Sequence, residues 1–224
     1  MSYLIRVVLP DEPGSLGELA QAFGMLDANI ESVDVVQTLD DEGSVLDDIV
    51  VSLPKDVMAD GLITAVGAVP GAEVDSIRPF TGRVDRRGQI KMLSRVARCA
   101  HDIPAAMEEL VNVMPQAMTS SWAIVLEEAA EGVTRVAASQ AAPADDGSSP
   151  ELAHVETARV LDAEVEEWIP EGWGILDSAL AATPIAHTDM ILVMGRIGGP
   201  SYLASEVAHI GDLGMIVGTL VRNA

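Results

Sequence analysis

The stretch from Asp11 to Leu19, with the sequence DEPGSLGEL, combines residue types that suit the binding of a small zwitterion. It follows a strand-like run and opens a helix-like one, so the backbone N–H groups near Gly14, Ser15 and Leu16 lie at a helix N-terminus. Such donors favour a carboxylate, and glycine lets a ligand approach the main chain. Asp11 can accept a hydrogen bond from an α-ammonium group. An Asp-capped turn without a ligand explains the same residues about equally well.

Alternating strand-like runs and three-to-four-residue apolar spacing predict a small α+β unit around this loop. Helix one carries an apolar stripe from Leu16 to Leu26, and a polar turn at 40–43 joins two strands into a hairpin. The predicted elements are strand 3–9, a helix from Ser15, strands 30–38 and 45–53, a helix around 58–66 and a strand at 73–77. We expect both helices to cover one face of a four-stranded antiparallel sheet, the ferredoxin-like βαββαβ arrangement.

The strand, the D-x-P-G-x-L turn, the amphipathic helix and an Asn-Ile start to the next strand together resemble the beginning of an ACT domain, over about residues 3–80. In ACT domains the effector, usually an amino acid, lies between two domains paired edge to edge. The resemblance implies that Asp11, Gly14, Ser15 and Leu16 of one copy and Asn29 and Ile30 of the other bind the effector. The amide of Asn29 can bind a carboxylate or a small polar side chain. The sequence departs from the family at Leu9 and Glu12, where some ACT domains carry further polar contact residues or a neutral one. The carboxylate of Glu12 disfavours an acidic effector.

A charged stretch of low periodicity after Phe80 indicates a domain boundary. We predict an ACT-type domain at 1–80, a linker and connecting helix at 81–101, and a second α+β domain at 102–224. The second domain is expected to contain a helix from about Asp102, a hairpin (122–126 and 133–139), a surface loop (141–150), strands 179–185 and 190–196, and a long helix that ends near Val221. The stripe on that last helix suits either burial against a sheet or packing on a second copy.

The second half more faintly resembles a GAF domain, a ligand-sensing relative of PAS domains. The resemblance lies in the helix before Trp122, the hairpin, the strand pair that ends at Met194-Gly195-Arg196, and the closing segment GGPSYLASEVAHIGDLGMIVGTL. The resemblance implies an antiparallel sheet with flanking helices, and it assigns no ligand and no contact residues to this domain. Trp168 and Trp173 flank a turn, where they either line a pocket or are packed or half-exposed indoles.

The formal net charge of -22 is spread along the 224 residues, which argues against nucleic-acid binding. We interpret the one basic cluster, Arg83, Arg86, Arg87 and Lys91, as a solvated linker. The four histidines are far apart, and no phosphate-binding or nucleophile motif occurs, so we expect no metal, cofactor or catalytic residue. No apolar run reaches membrane-spanning length, the N-terminus lacks a signal-peptide core, and Cys99 is the single cysteine. The expected location is the cytoplasm, without membrane attachment.

These observations predict a sensor that is not an enzyme. In the leading hypothesis a homodimer binds a small amino acid across its ACT edge and passes the signal to the GAF-like domains. A ligand-free regulatory or interaction subunit of a biosynthetic enzyme is the first alternative. An enzyme with an unrecognised site in the second domain is the second.

Overall fold

The computed structural model describes residues 1–39, 43–80, 86–147 and 153–224. The chain divides into two compact units, Met1–Val84 and Asp85–Ala224. Three predicted segments lie partly outside the described residues. These are residues 40–42 of the predicted hairpin turn, residues 81–85 of the predicted linker and residues 148–150 of the predicted surface loop.

The first unit follows the element order β-α-β-β-α-β. Its elements are β1 (Ser2–Pro10), α1 (Ser15–Gly24), β2 (Asn29–Leu39), β3 (Ser44–Ser52), α2 (Asp60–Gly67) and β4 (Glu73–Pro79). The strands form one sheet in the order β2-β3-β1-β4, and each neighbouring pair is antiparallel. The strands β3 and β1 are therefore central, and β2 is an edge strand.

Helices α1 and α2 cover one face of this sheet. Side chains along a strand alternate between the two faces, so every second residue of a strand points to the helices. On β1 the aliphatic residues Ile5, Val7 and Leu9 point to the helices, where Leu19 and Phe23 of α1 meet them. The opposite face of the sheet carries polar residues as well as apolar ones.

A buried ion pair on that opposite face joins the two central strands. The Arg6 guanidinium donates from Nε to Asp48 Oδ1 at 2.7 Å and from Nη2 to Asp48 Oδ2 at 2.9 Å. Both side chains are buried. This two-point geometry compensates two charges that would otherwise be costly to desolvate.

The second unit contains three long helices and a five-stranded antiparallel sheet in the order β6-β5-β9-β8-β7. Its elements are α3 (Arg86–Cys99), α4 (Ile103–Ala117), β5 (Trp122–Ala129), β6 (Gly132–Ala138), β7 (Arg159–Leu161), α5 (Glu171–Gly174), β8 (Ala179–Ile185), β9 (Met190–Arg196) and α6 (Ala204–Arg222). The mixed α and β content and the antiparallel sheets agree with the predicted α+β class.

Helix α3 packs within the core of the second unit, although its sequence suggested a connecting helix. Met92 and Val96 are fully buried there, against a cluster that includes Leu110 of α4 and Ile210 of α6. The buried face of α3 includes Met92 and Val96, whereas Ile90 is 72% exposed.

Helix α6 is long and apolar enough, by length and composition, to cross a membrane. In the second unit it packs on the sheet beside β8, where Gly214 and Gly218 allow close approach to the backbone of residues 184–186. A Cβ atom at Gly218 would overlap the backbone of Ala186. Of the two predicted packing modes, the structure shows burial against the sheet.

The other face of the five-stranded sheet is filled by an aromatic cluster. Trp122 and Trp173 are buried with ring centroids 5.6 Å apart, and Trp168 lies 6.2 Å from Trp173, both pairs edge to face. Of the two predicted roles for Trp168 and Trp173, the structure shows packed indoles.

Candidate functional site

A pocket of about 320 Å³ opens in the first unit where β1 runs into the loop before α1. Four of the six predicted site residues, Asp11, Gly14, Ser15 and Leu16, line it. Its volume lies at the lower end of the range for small-molecule sites, which suits a ligand of a few heavy atoms.

The N-terminus of α1 presents unpaired backbone donors in this loop. The Ser15 N–H donates to the Glu12 carbonyl oxygen at 3.3 Å, and the first intrahelical bond runs from the Glu18 N–H to the Gly14 oxygen. The N–H groups of Leu16 and Gly17 have no partner among the described residues, and no side chain caps the helix. These two donors and the helix dipole can receive a carboxylate.

Gly14 adopts the conformation that only glycine takes without strain. Its φ is +111°, and a Cβ atom built there would have no heavy atom within 4 Å. The glycine is therefore required by the backbone turn rather than by crowding, and it leaves the main chain open on that side.

The floor of the pocket contains a carboxylate that we did not single out from the sequence. Asp47 lies on β3, on the helix-covered face of the sheet, directly across from Val7 of β1 and Val35 of β2. Its relative exposure is 0%, and neither carboxylate oxygen has a hydrogen-bond partner among the described residues. An unpaired buried carboxylate is rare in folded proteins and requires an explanation.

The electrostatic surroundings of Asp47 are uniformly negative. Burial raises the pKa of its carboxyl group above the ordinary value, and the negative charges of Asp34, Asp48 and Asp11 raise it further. Glu12 adds another carboxylate to the pocket wall. A cationic group is the species that would relieve this environment.

The sequence contained a signal for this carboxylate. Asp47 and Asp48 are consecutive residues in the middle of an apolar strand. Since consecutive side chains point to opposite faces of a sheet, one of the two must face the helices. Which one does so, and whether an arginine lies opposite, depends on strand register, which the sequence does not specify.

Asn29 and Ile30, the other two predicted site residues, lie away from the pocket within one chain. Asn29 is exposed at the start of β2, opposite Ser52 of β3, whereas the pocket is lined by Val35 and Thr38 near the end of β2. At 3.3 Å per residue, Asn29 and Thr38 are about 30 Å apart along the strand. A single chain therefore does not bring the two predicted halves of the site together.

The second unit contains a buried arginine that the sequence did not single out. Arg196 is fully buried, donates to Glu206 Oε1 at 2.6 Å and stacks over the Tyr202 ring at 4.2 Å. Its guanidinium also donates to the Met118 carbonyl oxygen. Because its contacts lie within the unit, we assign it a structural role.

A second internal ion pair in this unit lies between β7 and the segment that follows it. Arg159 donates to both carboxylate oxygens of Glu166 at 2.7 Å. This hydrogen bonding lowers the pKa of Glu166 to about 2, against a smaller opposing effect of burial. Among the described residues, no group of three or more His, Cys, Asp or Glu side chains is placed to hold a metal ion.

Comparison with known proteins gives structural likenesses of low sequence identity. No family model and no curated protein matches the chain. The chain is similar to the GAF domain of a GAF domain/HD domain protein from Geobacter sulfurreducens, with 14% identity, a TM-score of 0.46, and coverage of 57% of this chain and 96% of that one. It is also similar to the GAF domain of a phosphoenolpyruvate-protein phosphotransferase from Acinetobacter, with 13% identity, a TM-score of 0.43, and coverage of 61% and 93%.

A third similar structure is the GAF domain of the corresponding phosphotransferase from Coxiella burnetii, with 13% identity, a TM-score of 0.44, and coverage of 62% of this chain and 96% of that one. GAF domains are thus structural neighbours of the chain. Likenesses with TM-scores below 0.5 do not place it in a family.

Proposed function

We propose that this protein is a non-catalytic regulatory sensor whose first unit binds a small amino acid in the pocket under the loop at 11–16. The observation that carries the proposal is that one pocket is lined both by Leu16, whose N–H at the start of α1 has no partner among the described residues, and by Asp47, whose carboxylate is unpaired. The two ends of a zwitterion match these two features. The ACT-like sequence pattern of residues 3–80 supports the same ligand class.

The proposed site is completed by a second copy of the chain across the edge strand β2. Val33 and Val35 on that strand are 37% and 57% exposed, and an edge strand has unpaired backbone groups along its outer side. A two-fold antiparallel pairing of β2 with its copy, centred on residue 34, would set Ile30 of one copy across from Thr38 of the other, with Asn29 next to it. This arrangement places the two predicted halves of the site next to each other.

The proposed signal is a linkage effect. A ligand that bridges two copies stabilises the dimer arrangement that it fits, and so changes the population of states available to the second unit. The GAF-like pattern of the second half supports a regulatory role for that unit, with no ligand assigned to it.

Calorimetric titration of the full chain with each of the twenty amino acids tests the binding proposal. The blocking variant is Thr38→Phe, because Thr38 is exposed, lines the pocket and lies on a strand that accepts an aromatic residue. The matched control is Gln37→Phe, an exposed neighbour that does not line the pocket. We expect heat from one or a few amino acids, lost in Thr38→Phe and retained in Gln37→Phe. No heat from any amino acid would refute the proposal.

Complementation tests the two-chain site. A Thr38→Phe chain and an Asn29→Ala chain should each bind poorly as homodimers. In a mixed dimer one site combines both defects, whereas the other has an intact loop and an intact Asn29. Co-expression with two affinity tags should therefore restore binding at half of the sites. An Asn29→Ala homodimer that binds normally would place the site within one chain.

The exposed valines of β2 also favour the first alternative, an interaction subunit without its own ligand. Co-purification of a stoichiometric enzyme partner, together with silence toward all amino acids, would support that alternative over the sensor.

A further inference from the structure

Among the carboxylates of the described residues, Asp47 stands apart because it is fully buried and neither of its oxygens has a hydrogen-bond partner. Its neighbour Asp48 is almost as buried but is held by Arg6 on the opposite face of the sheet. The residues directly across from Asp47 are valines, which offer no donor. The fold therefore supplies a counter-charge for one of the two adjacent carboxylates and none for the other.

The space beside Asp47 is the pocket described above. The residue lines that pocket, together with the loop that carries the free donors of α1. A group that enters the pocket thus lies beside this residue, whose carboxylate is closed off from solvent in the ligand-free chain. Since the other ionisable residues that line the pocket, Asp11 and Glu12, are also acidic, the cation has to come from the ligand.

We propose that Asp47 anchors the positively charged nitrogen of the ligand, so that this pocket selects small molecules with a primary ammonium group and rejects acids that lack one. The inference rests on the proposed binding function of the same pocket and specifies which residue recognises the amine. It assigns to Asp47 the role that the sequence alone suggested for Asp11, which is exposed on the rim.

A primary ammonium group fits the site better than a metal ion does. Divalent cations in proteins take several oxygen ligands in a fixed shell, and the described residues contain no group of three or more acidic, His or Cys side chains placed to provide one. An ammonium group needs only acceptors, and the two oxygens of Asp47 are unused. The raised pKa of Asp47 reflects the same lack of a counter-charge, which the bound ammonium would supply.

Three matched sets of probes test the anchor by titration of the full chain. Each set contains an amino acid, the amine left after removal of its carboxylate, and the acid left after removal of its amine. The sets are alanine, ethylamine and propionate; valine, isobutylamine and isovalerate; and serine, ethanolamine and 3-hydroxypropionate. The variants are Asp47→Asn and the control Asp56→Asn, which removes the same charge from an exposed position in the same unit.

We expect the amino acids and their amines to bind the wild-type chain and to weaken at least about thirtyfold in Asp47→Asn, the loss that follows from deleting one partner of a buried charge pair. Asp56→Asn should bind like wild type. Should Asp47→Asn fail to fold, the wild-type titrations still decide, because the acids must bind far more weakly than the matching amino acids.

The outcomes separate the anchor from the proposed sensor function. Equal binding of an amino acid by wild type and Asp47→Asn overturns the anchor and leaves the sensor standing. Binding of amines alone, dependent on Asp47, supports the anchor and overturns the amino-acid sensor. Binding of none of the nine probes overturns the anchor, and the twenty-amino-acid titration then decides the sensor by itself.

Discussion

Replacement of Asp47 by valine should make the ligand-free protein more stable at neutral pH. The side chain is fully buried with two unpaired oxygens, and valines lie directly across from it on both neighbouring strands. A buried polar group without a partner costs about 1 to 3 kcal/mol, and valine removes that cost while suiting a central strand. A gain in stability from a substitution in a pocket is the expected sign of a residue retained for binding.

The size of the effect in a melting experiment follows from the size of the unit. The first unit spans Met1–Val84, and in domains of that length each kcal/mol shifts the Tm by about 4 to 8 °C. Asp47→Val should therefore raise the Tm of the first unit by about 4 to 24 °C. Scanning calorimetry of the full chain at pH 7 measures this shift, and urea unfolding under the same conditions checks the free energy.

The pH dependence has a definite sign. The pKa of the Asp47 carboxyl group is raised above 3.8 in the folded protein. The contribution of this group to the free energy of unfolding of wild type is therefore fully present below pH 3.8 and is lost as the pH rises through the pKa of the folded state. The advantage of Asp47→Val should therefore be smaller at pH 3 than at pH 7. A variant that melts below wild type at pH 7, or a gain of equal size at both pH values, would refute this account of Asp47.

The next residue, Asp48, provides a control for which we expect the opposite change in stability. Asp48 is paired with Arg6 at 2.7 Å, so Asp48→Val removes one carboxylate that pairs with a buried guanidinium. Breaking such a pair costs about 3 to 5 kcal/mol. The same substitution at neighbouring positions should thus stabilise the first unit at one and destabilise it at the other.

Two further predictions concern the second unit. Glu166→Gln should cost about 1 to 2 kcal/mol at pH 7, because it weakens the two hydrogen bonds from Arg159. The pKa of Glu166 is lowered from 4.5 to about 2, so this loss of stability should fade as the pH falls between those values. Urea midpoints of wild type and variant that differ equally at pH 7 and pH 2 would contradict the prediction. Gly195→Ala should cost about 3 kcal/mol or more, because a Cβ atom there would overlap the Trp122 indole. The control is Gly172→Ala, where the Cβ atom meets open space, and it should be nearly neutral in the same urea assay. A Gly195→Ala chain as stable as wild type would show that Trp122 can move aside.

The element order of the first unit could be predicted because each of its elements is long enough to show its own period. The observed strands β1, β2 and β3 differ from the predicted bounds by one residue at each end. In the second unit, β8 and β9 coincide with the predicted ranges. Patterns of this kind depend on local chemistry alone, and turn formers in the sequence define where they stop.

Two short elements, β7 and α5, were not predicted. β7 has three residues and α5 has four, which is too short for a period of either kind to show. β7 is defined by its pairing with β8, from Arg159 opposite Ala182 to Leu161 opposite Leu180. Such a short strand is stabilised by its pairing with a neighbouring strand, so its own sequence contains little evidence of it.

The loop half of the candidate site was predictable and the floor of the pocket was not. The turn before α1 contains its own signals, a glycine and a helix start, whereas the environment of Asp47 depends on which residues of β1 and β2 lie opposite. Register sets Val7 against Asp47 and Arg6 against Asp48. A slip of one residue would exchange the two faces and give the arginine to the other carboxylate.

The contrast between Arg6 and Val7 leads to the functional inference. A chain that needed both carboxylates only for the architecture of the sheet would be more stable with a donor near each, or with an apolar residue in place of the unpaired one. Asp47 satisfies neither condition in the free protein and lines the same pocket as Leu16, whose backbone N–H has no partner among the described residues. A ligand with an ammonium group at one end and a carboxylate at the other removes both deficits at once. Its binding should therefore stabilise wild type more than it stabilises Asp47→Val, and equal ligand-induced Tm shifts in the two chains would show that the carboxylate takes no part.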